Sequence, residues 1–276
     1  MPAQFDLTEK QICECPVLAV SNLTADIYLM RLYCPPISEN VRPGQFVNIK
    51  VNEEFIPLLR KPFSVCRRSR EQGWIEVLWK IIGKGTEIMA HSRTGDSINL
   101  LGPLGRGFLL PDEMEHALVV GGGIGVAPLP FLCEELLLKG TTVTVFLGAK
   151  TKDELSLVSE FQQMGLEVQA ATEDGSYGRK GLVTDMLLET LTDKGAFNKC
   201  HIYSCGPNGL LKRLMHITAD YDVEGQVCTE TMMGCGFGIC MGCPVVAADP
   251  EKYGRKYYLT CLDGPVFNAR DIILDG

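Results

Sequence analysis

The chain has no run of five basic residues, no apolar core near its start, no internal repeat and only one uncharged stretch approaching membrane length. Each absence excludes a class of function. Lys and Arg number 26 against 34 Asp and Glu, a net charge of -8. A phosphate backbone needs a basic stripe, so nucleic acid is not an expected partner. The opening MPAQFDLTEK is polar and does not read as a secretory signal, which makes a cytoplasmic location the expectation. The uncharged stretch, Ala117 to Cys133, holds four glycines and two prolines, and reads as strand, turn and helix rather than a membrane span. The four histidines, His91, His116, His201 and His216, show no ligand or triad spacing and are assigned no chemistry.

What is present fits a folded chain of roughly two domains with an appendage: 276 residues, 46% hydrophobic and 22% charged. At this size a core forms without disulfide staples. Twelve cysteines is nevertheless a high count. Eight are dispersed, several of them in apolar runs, while Cys235, Cys240, Cys243 and Cys261 crowd the C-terminal segment. Clustered thiols in a reducing compartment suggest a metal site.

The pattern along the chain changes three times. Over the first hundred residues, runs such as QFVNIKV (45–51) and WIEVLWKII (74–82) alternate between Pro and Gly punctuation, the pattern of an antiparallel barrel or sandwich. From about 115 to 221, strands and helices alternate: HALVV, a helix near 126–139 closed by Gly140, TVTVFL, a helix near 153–164, EVQAA, a helix near 184–191, CHIYS, and a helix near 207–218. That alternation predicts βαβ units and a parallel sheet. The last fifty residues are rich in Gly and Cys, with little periodicity.

The sharpest motif is CGFGICMGC. It gives Cys235, four residues, Cys240, two residues and Cys243, with Cys261 after seventeen more. This is the spacing of plant-type 2Fe-2S ligands. Gly234, Gly236, Gly238 and Gly242 would let the backbone wrap closely and aim N–H groups at sulfur. Four thiols also suit structural zinc, although zinc sites more often carry two C-x2-C pairs and this segment has one.

GGGIGVAP (121–128) follows a strand and opens a helix, the context in which a glycine turn binds a pyrophosphate, although a bare tight turn looks the same. SCGP (204–207) ends a later strand and would reach the same sheet edge, putting Cys205 near a nicotinamide; alone, Cys205 reads as a small buried hydrophobe. TEDGSYGRKG (172–181) either lines that site or is a solvated turn. In the barrel, RKPFS (60–64) offers cations, an aromatic and a hydroxyl to a flavin, and GKGTE (83–87) suggests a phosphate loop ending in a helix N-cap.

Together these stretches, with PGQFVNI, LGPLGRGF and CLDGPVF, resemble the ferredoxin-NADP reductase superfamily, and within it the electron-transfer subunits of class 1B, NAD-linked, dihydroorotate dehydrogenases. The resemblance implies an antiparallel Greek-key FAD barrel over 1–110, a parallel-sheet NAD-binding α/β domain over 111–224 and a small 2Fe-2S domain over 225–276. It places Lys61, Pro62, Phe63 and Ser64 on the flavin motif and Gly85 and Thr86 on a second flavin-phosphate segment. Gly122, Gly123, Gly125, Gly206 and Pro207 fall on the nucleotide motifs with Cys205 as catalytic residue, and the four clustered cysteines on the cluster ligands. Lys61 departs from the family's Arg, keeping charge but losing the bidentate fork; neighbouring Arg60 could compensate, although alternation in a strand would point it away.

The implied activity is that of an NADH-linked flavin diaphorase. It would pass electrons between NAD and an FMN-containing dihydroorotate-oxidising subunit of pyrimidine biosynthesis, in a heterotetramer. Two rivals share parts of the pattern: the small subunit of an electron-bifurcating NADH-dependent ferredoxin-NADP oxidoreductase, which commonly has an acidic residue where Cys235 stands, and a non-catalytic zinc-binding interaction protein. NAD against NADP is undecided from the residues, since Lys150, Lys152 and Asp153 follow the second strand of the nucleotide domain together.

Overall fold

The computed structural model describes residues 9–52, 56–193 and 199–274. Six strands, β1 (Gln11–Asn22), β2 (Ile27–Tyr33), β3 (Phe46–Lys50), β4 (Lys61–Ser69), β5 (Trp74–Lys80) and β6 (Ser97–Leu104), close an antiparallel barrel in the order β1-β2-β5-β4-β3-β6. Short helices α1 (Pro35–Asn40) and α2 (Lys84–Ala90) sit in its connections. The jump from β2 to β5 is the Greek-key crossing, and closure removes the unpaired edges an open sheet would expose. Val17, Met30, Leu32, Val47, Ile49, Val65, Val77 and Trp79 fill the interior.

The second unit is a seven-stranded sheet built from β7 (His116–Gly122), β8 (Thr142–Ala149), β9 (Glu167–Thr172), β10 (Arg179–Lys180), β11 (Cys200–Cys205) and β12 (Glu224–Cys228), all parallel, and closed by an antiparallel strand from the C-terminal segment. Its helices are α3 (Leu129–Leu138), α4 (Val158–Gln163), α5 (Val183–Asp193) and α6 (Asn208–Asp220). Successive side chains of β7 serve opposite faces: Ala117 and Val119 pack with Leu132 and Leu136 of α3, while Leu118 and Val120 pack with Leu187 of α5 and Leu214 of α6. Burial on both faces explains why this strand reads as an unbroken apolar run.

Two helices depart from the sequence expectation. After β7 the chain makes a tight helical turn over Gly123–Val126, and α3 begins only at Leu129, beyond Pro128. The helix expected near 153–164 is split. A turn at Lys152–Glu154 is followed by Leu157 in the left-handed region, φ 64°, before α4 starts.

The C-terminal segment adds β13 (Pro244–Ala247), α7 (Pro250–Tyr253), β14 (Tyr257–Leu259), β15 (Val266–Asn268) and β16 (Ile272–Ile273). Strands β14-β13-β16 form a small sheet, whereas β15 pairs with β12 and closes the seven-stranded sheet. Val245, Ala247, Tyr258 and Ile272 pack on Leu211 of α6 and Val227 of β12, so this segment is welded to the nucleotide unit rather than appended. Among the described residues no helix is long and apolar enough to cross a membrane.

Candidate functional site

The four clustered cysteines come together as two pairs. The Cys235 N–H donates to Cys240 Sγ and the Cys240 N–H donates back to Cys235 Sγ, both at 3.4 Å. Cys243 Sγ donates to Cys261 Sγ at 3.3 Å. The tight loop needs a left-handed backbone at Gly236 (φ 78°) and Gly238 (φ 94°), which glycine supplies without strain. The first pair faces outward, with Cys240 exposed, while Cys243 and Cys261 are buried beside Phe46 and Leu104 of the barrel and Leu259 of β14.

Burial pushes the Cys235 thiol up, but the N–H groups of Cys240, Phe237 and Ile239 outweigh it and bring it down to about 6. Burial, aided by Cys243, raises Cys261 to about 12. Two thiol pairs are what a cluster with two irons takes, each iron held by two thiolates. The donors present, four thiols in two pairs, fit such a binuclear group.

On the barrel, β4 carries the RKPFS segment. The stem of Lys61 lies over Gly85, so close that a Cβ there would meet Lys61 Cε at 3.0 Å. This contact brings the two expected flavin segments together. Among the described residues nothing holds the Lys61 ammonium, leaving it available to an anion. Arg60 is turned away: its guanidinium donates to the Asn48 and Asn99 carbonyls, each at 3.2 Å, and to the Asn99 side chain. Phe63 meets Trp79 edge-on at 6.5 Å, and Tyr28 stacks on Trp79 at 5.5 Å, giving the segment an aromatic floor.

Thr86 is the third residue of α2 and not its N-cap, which is Gly83. The Thr86 hydroxyl donates to the Gly83 carbonyl at 2.8 Å and accepts from the Ile82 and Gly83 N–H groups. With those bonds made, its part in a phosphate loop falls to the backbone.

The glycine turn and SCGP meet at the point where the sheet order reverses, because β7 and β11 are neighbours with Gly121 opposite Cys205. A cavity of about 520 Å³ opens there, lined by Gly122, Gly123, Lys150, Glu154, Glu173 and Pro207 among others. Gly123 has φ 52° and open space where a Cβ would be, whereas Gly125 is pressed against Gly206. In TEDGSYGRKG, Glu173 and Gly181 line the cavity, while Asp174, Ser176, Thr172 and Tyr177 knit the loop internally. The segment thus divides into a cavity wall and an internally bonded turn.

Cys205 is buried. A hydrogen bond with Cys228 on the neighbouring strand, together with burial, holds its thiol well above the ordinary range, so it is protonated at neutral pH. It can pack against a ring but cannot act as a thiolate nucleophile.

The units are clamped where the sites adjoin. Arg67 and Arg68, on the strand that carries RKPFS, pair with Glu134 and Glu135 of α3 at 2.6 and 2.7 Å. Arg68 also covers Phe131 of α3, which inserts into the barrel core. Lys80 of β5 bonds Glu154 at the cavity wall at 3.1 Å. Glu154 escaped the sequence reading, while Glu173 and Asn48, which bonds the Cys235 carbonyl at 2.8 Å, were read only as parts of TEDGSYGRKG and PGQFVNI and not singled out.

Residues 230–273 match the family described as the iron-sulfur cluster binding domain of dihydroorotate dehydrogenase B, and residues 119–215 the oxidoreductase NAD-binding domain. The chain is similar to the protein named dihydroorotate dehydrogenase B (NAD(+)), electron transfer subunit, of Desulforamulus reducens: 38% identical over 263 residues, covering 95% of this chain and 98% of the relative. The namesake of Geobacillus sp. (strain WCH70) is 39% identical over 254 residues, covering 91% and 95%. Among solved structures, a chain from the work on flavin-based electron bifurcation by an NADH-dependent reduced ferredoxin-NADP oxidoreductase superposes with TM-score 0.82 at 28% identity, covering 95% of this chain and 90% of that one. A ferredoxin NADP+ reductase from Neisseria gonorrhoeae, at TM-score 0.64 and 20% identity, covers 76% and 91% and shares the fold.

Proposed function

The chain belongs to the electron transfer subunits of NAD(+)-dependent dihydroorotate dehydrogenase B, and we propose that it carries electrons between a dihydroorotate-oxidising partner and NAD through a 2Fe-2S cluster and FAD. The partner is read as an FMN-containing catalytic subunit, the assembly as a heterotetramer, and the setting as the cytoplasm. The carrying observation is that one chain sets paired thiols against a barrel that carries a cationic segment, and ties that same barrel through Lys80 to Glu154 in the wall of the cavity. When bound, the flavin holds zero, one or two electrons and so matches the two-electron nicotinamide to the one-electron cluster.

The chain's own residues supply position and charge. We assign 1–110, 111–224 and 225–276 to flavin, nucleotide and cluster respectively, with β12 and β15 joining the last two. Lys61 would neutralise the flavin pyrophosphate as a point charge, with Pro62 to Ser64 shaping the ring pocket and Gly85 and Thr86 contributing backbone N–H groups. Cys235, Cys240, Cys243 and Cys261 would hold the irons. Gly122, Gly123, Gly206 and Pro207 would shape the nucleotide's seat, and Cys205 would pack near the nicotinamide as a neutral thiol.

The test is to mix the purified chain with the catalytic subunit and follow NADH formation from dihydroorotate. Alone, the chain should oxidise NADH with artificial acceptors and leave dihydroorotate untouched. Failure of the mixture to turn over would refute the assignment.

Two substitutions probe the cofactor seats. Lys61→Ala should weaken FAD retention about 10-fold or more by removing a charge-assisted contact, while Lys61→Arg should retain it; bound flavin after gel filtration is the measurement. Glu173 lines the cavity just beyond β9, where its carboxylate suits a ribose hydroxyl and repels a 2′-phosphate. Glu173→Arg should therefore shift the NADH to NADPH ratio of kcat/KM by about 10- to 100-fold toward NADPH. An unchanged ratio would place the ribose elsewhere.

A further inference from the structure

Resting on the reading of Cys235 and its three companions as cluster ligands, we propose that Asn48 is a positioning residue that seats the cluster loop on the flavin barrel and thereby sets the cluster's potential. Asn48 lies mid-strand in β3 among buried Phe46, Val47 and Ile49, and is itself 1% exposed. A primary amide is a costly occupant of such a place unless it is bonded. Its Nδ2 donates to the Cys235 carbonyl at 2.8 Å, a contact spanning 187 positions of sequence. Its Oδ1 is buried without a partner among the described residues, so the amide is there at a net cost for that one bond.

The seat has a matched other half. Gly236 stands at φ 78°, and a Cβ on it would come within 2.3 Å of Asn48 Nδ2, so the loop reaches the barrel only with glycine at 236 and a flat amide at 48. On the barrel side Asn48 faces Pro62 of the flavin segment, and the Asn48 carbonyl accepts from Arg60. Arg60, Asn48 and Cys235 thus form one chain of contacts from the flavin strand to a cluster ligand. With the Cys235 carbonyl pinned to the barrel, residues 236–240 curl back so that N–H groups, that of Cys240 among them, point at Cys235 Sγ. Hydrogen bonds to cluster sulfur raise the reduction potential. Releasing the carbonyl should loosen them and make the cluster harder to reduce.

The experiment uses the full chain with its cofactors. Asn48→Leu approximates the shape and removes the donor without adding charge; Gly236→Ala presses on the same contact from the loop side. Each should retain FAD and iron yet change the EPR signature of the reduced cluster. The ratio of reduced to oxidised cluster at a fixed NADH/NAD ratio should fall about tenfold, equivalent to about 59 mV for a one-electron couple. A wild-type EPR spectrum and potential in either variant, with iron retained, overturns the role of Asn48. Absence of a 2Fe-2S signal from the wild-type chain instead overturns the ligand assignment beneath it. Should Asn48→Leu fail to fold, Gly236→Ala decides alone, because its substitution lies outside the barrel.

Discussion

Cys243→Ser should yield a flavoprotein that oxidises NADH with a two-electron dye at close to the wild-type rate, lacks the visible cluster band, and delivers electrons to the dihydroorotate-oxidising subunit more than about 100-fold more slowly. Loss of a group that merely orients a ligand costs about 10- to 100-fold, and losing the ligand itself costs more. Cys243 is 2% exposed and 3.3 Å from Cys261, against the barrel residues Phe46 and Leu104. A serine hydroxyl there is a hard, reluctantly ionised donor in an apolar wall, whereas iron-sulfur clusters are held by soft thiolates. The nucleotide cavity lies elsewhere, at the switch point of the seven-stranded sheet, so the NADH half of the reaction should survive. Cys13→Ser, in the barrel, is the control and should keep the cluster band. Stoichiometric iron and full delivery in Cys243→Ser would remove Cys243 from the ligand set.

What could be read from the sequence was what short-range spacing encodes. The CGFGICMGC spacing and the glycine turn after an apolar strand each express local geometry in a dozen residues or fewer, and the strand-helix alternation repeats such local signals along the chain. That SCGP reaches the same sheet edge as the glycine turn followed from parallel-sheet topology, one inference further; the register of Gly121 opposite Cys205 did not. Long-range pairings were not legible. The Asn48 bond to Cys235 spans 187 positions, and the aperiodic C-terminal segment conceals β15, whose partner β12 belongs to the preceding unit. Strand alternation already set Arg60 apart from Lys61, without showing what Arg60 binds instead. Only the carbonyls of Asn48 and Asn99 show that Arg60 is already engaged. The late start of α3 has a local cause that periodicity hides, since Val126 closes one tight turn and the longer helix starts only beyond Pro128.

Gly125→Ala should cost NADH oxidation more than about 100-fold and lower the melting temperature, while Gly123→Ala, two residues away in the same turn, should fold normally and chiefly raise the KM for NADH. A Cβ on Gly125 would lie 2.4 Å from Gly206 Cα, 2.6 Å from Gly206 N and 2.9 Å from the Cys205 carbonyl carbon. All three are backbone atoms at the end of β11, which is hydrogen-bonded to β7, so no side chain can swing aside. Relief requires the two loops to part, at a cost toward the upper end of the roughly 1–3 kcal/mol of overpacking. A displacement of about 1 Å at a seat that must present nicotinamide to flavin is enough for a 100-fold loss. Gly123 meets nothing within 4 Å, and its substitution costs about 1–2 kcal/mol through its left-handed φ of 52° while narrowing the cavity it lines. Melting curves, bound flavin and NADH kinetics on both variants separate the two effects. Wild-type melting and kcat/KM in Gly125→Ala would show that the loops do not interlock. Lost melting temperature in Gly125→Ala alone, with only the KM for NADH raised in Gly123→Ala, would mean that one glycine of the turn serves the fold and the other the ligand.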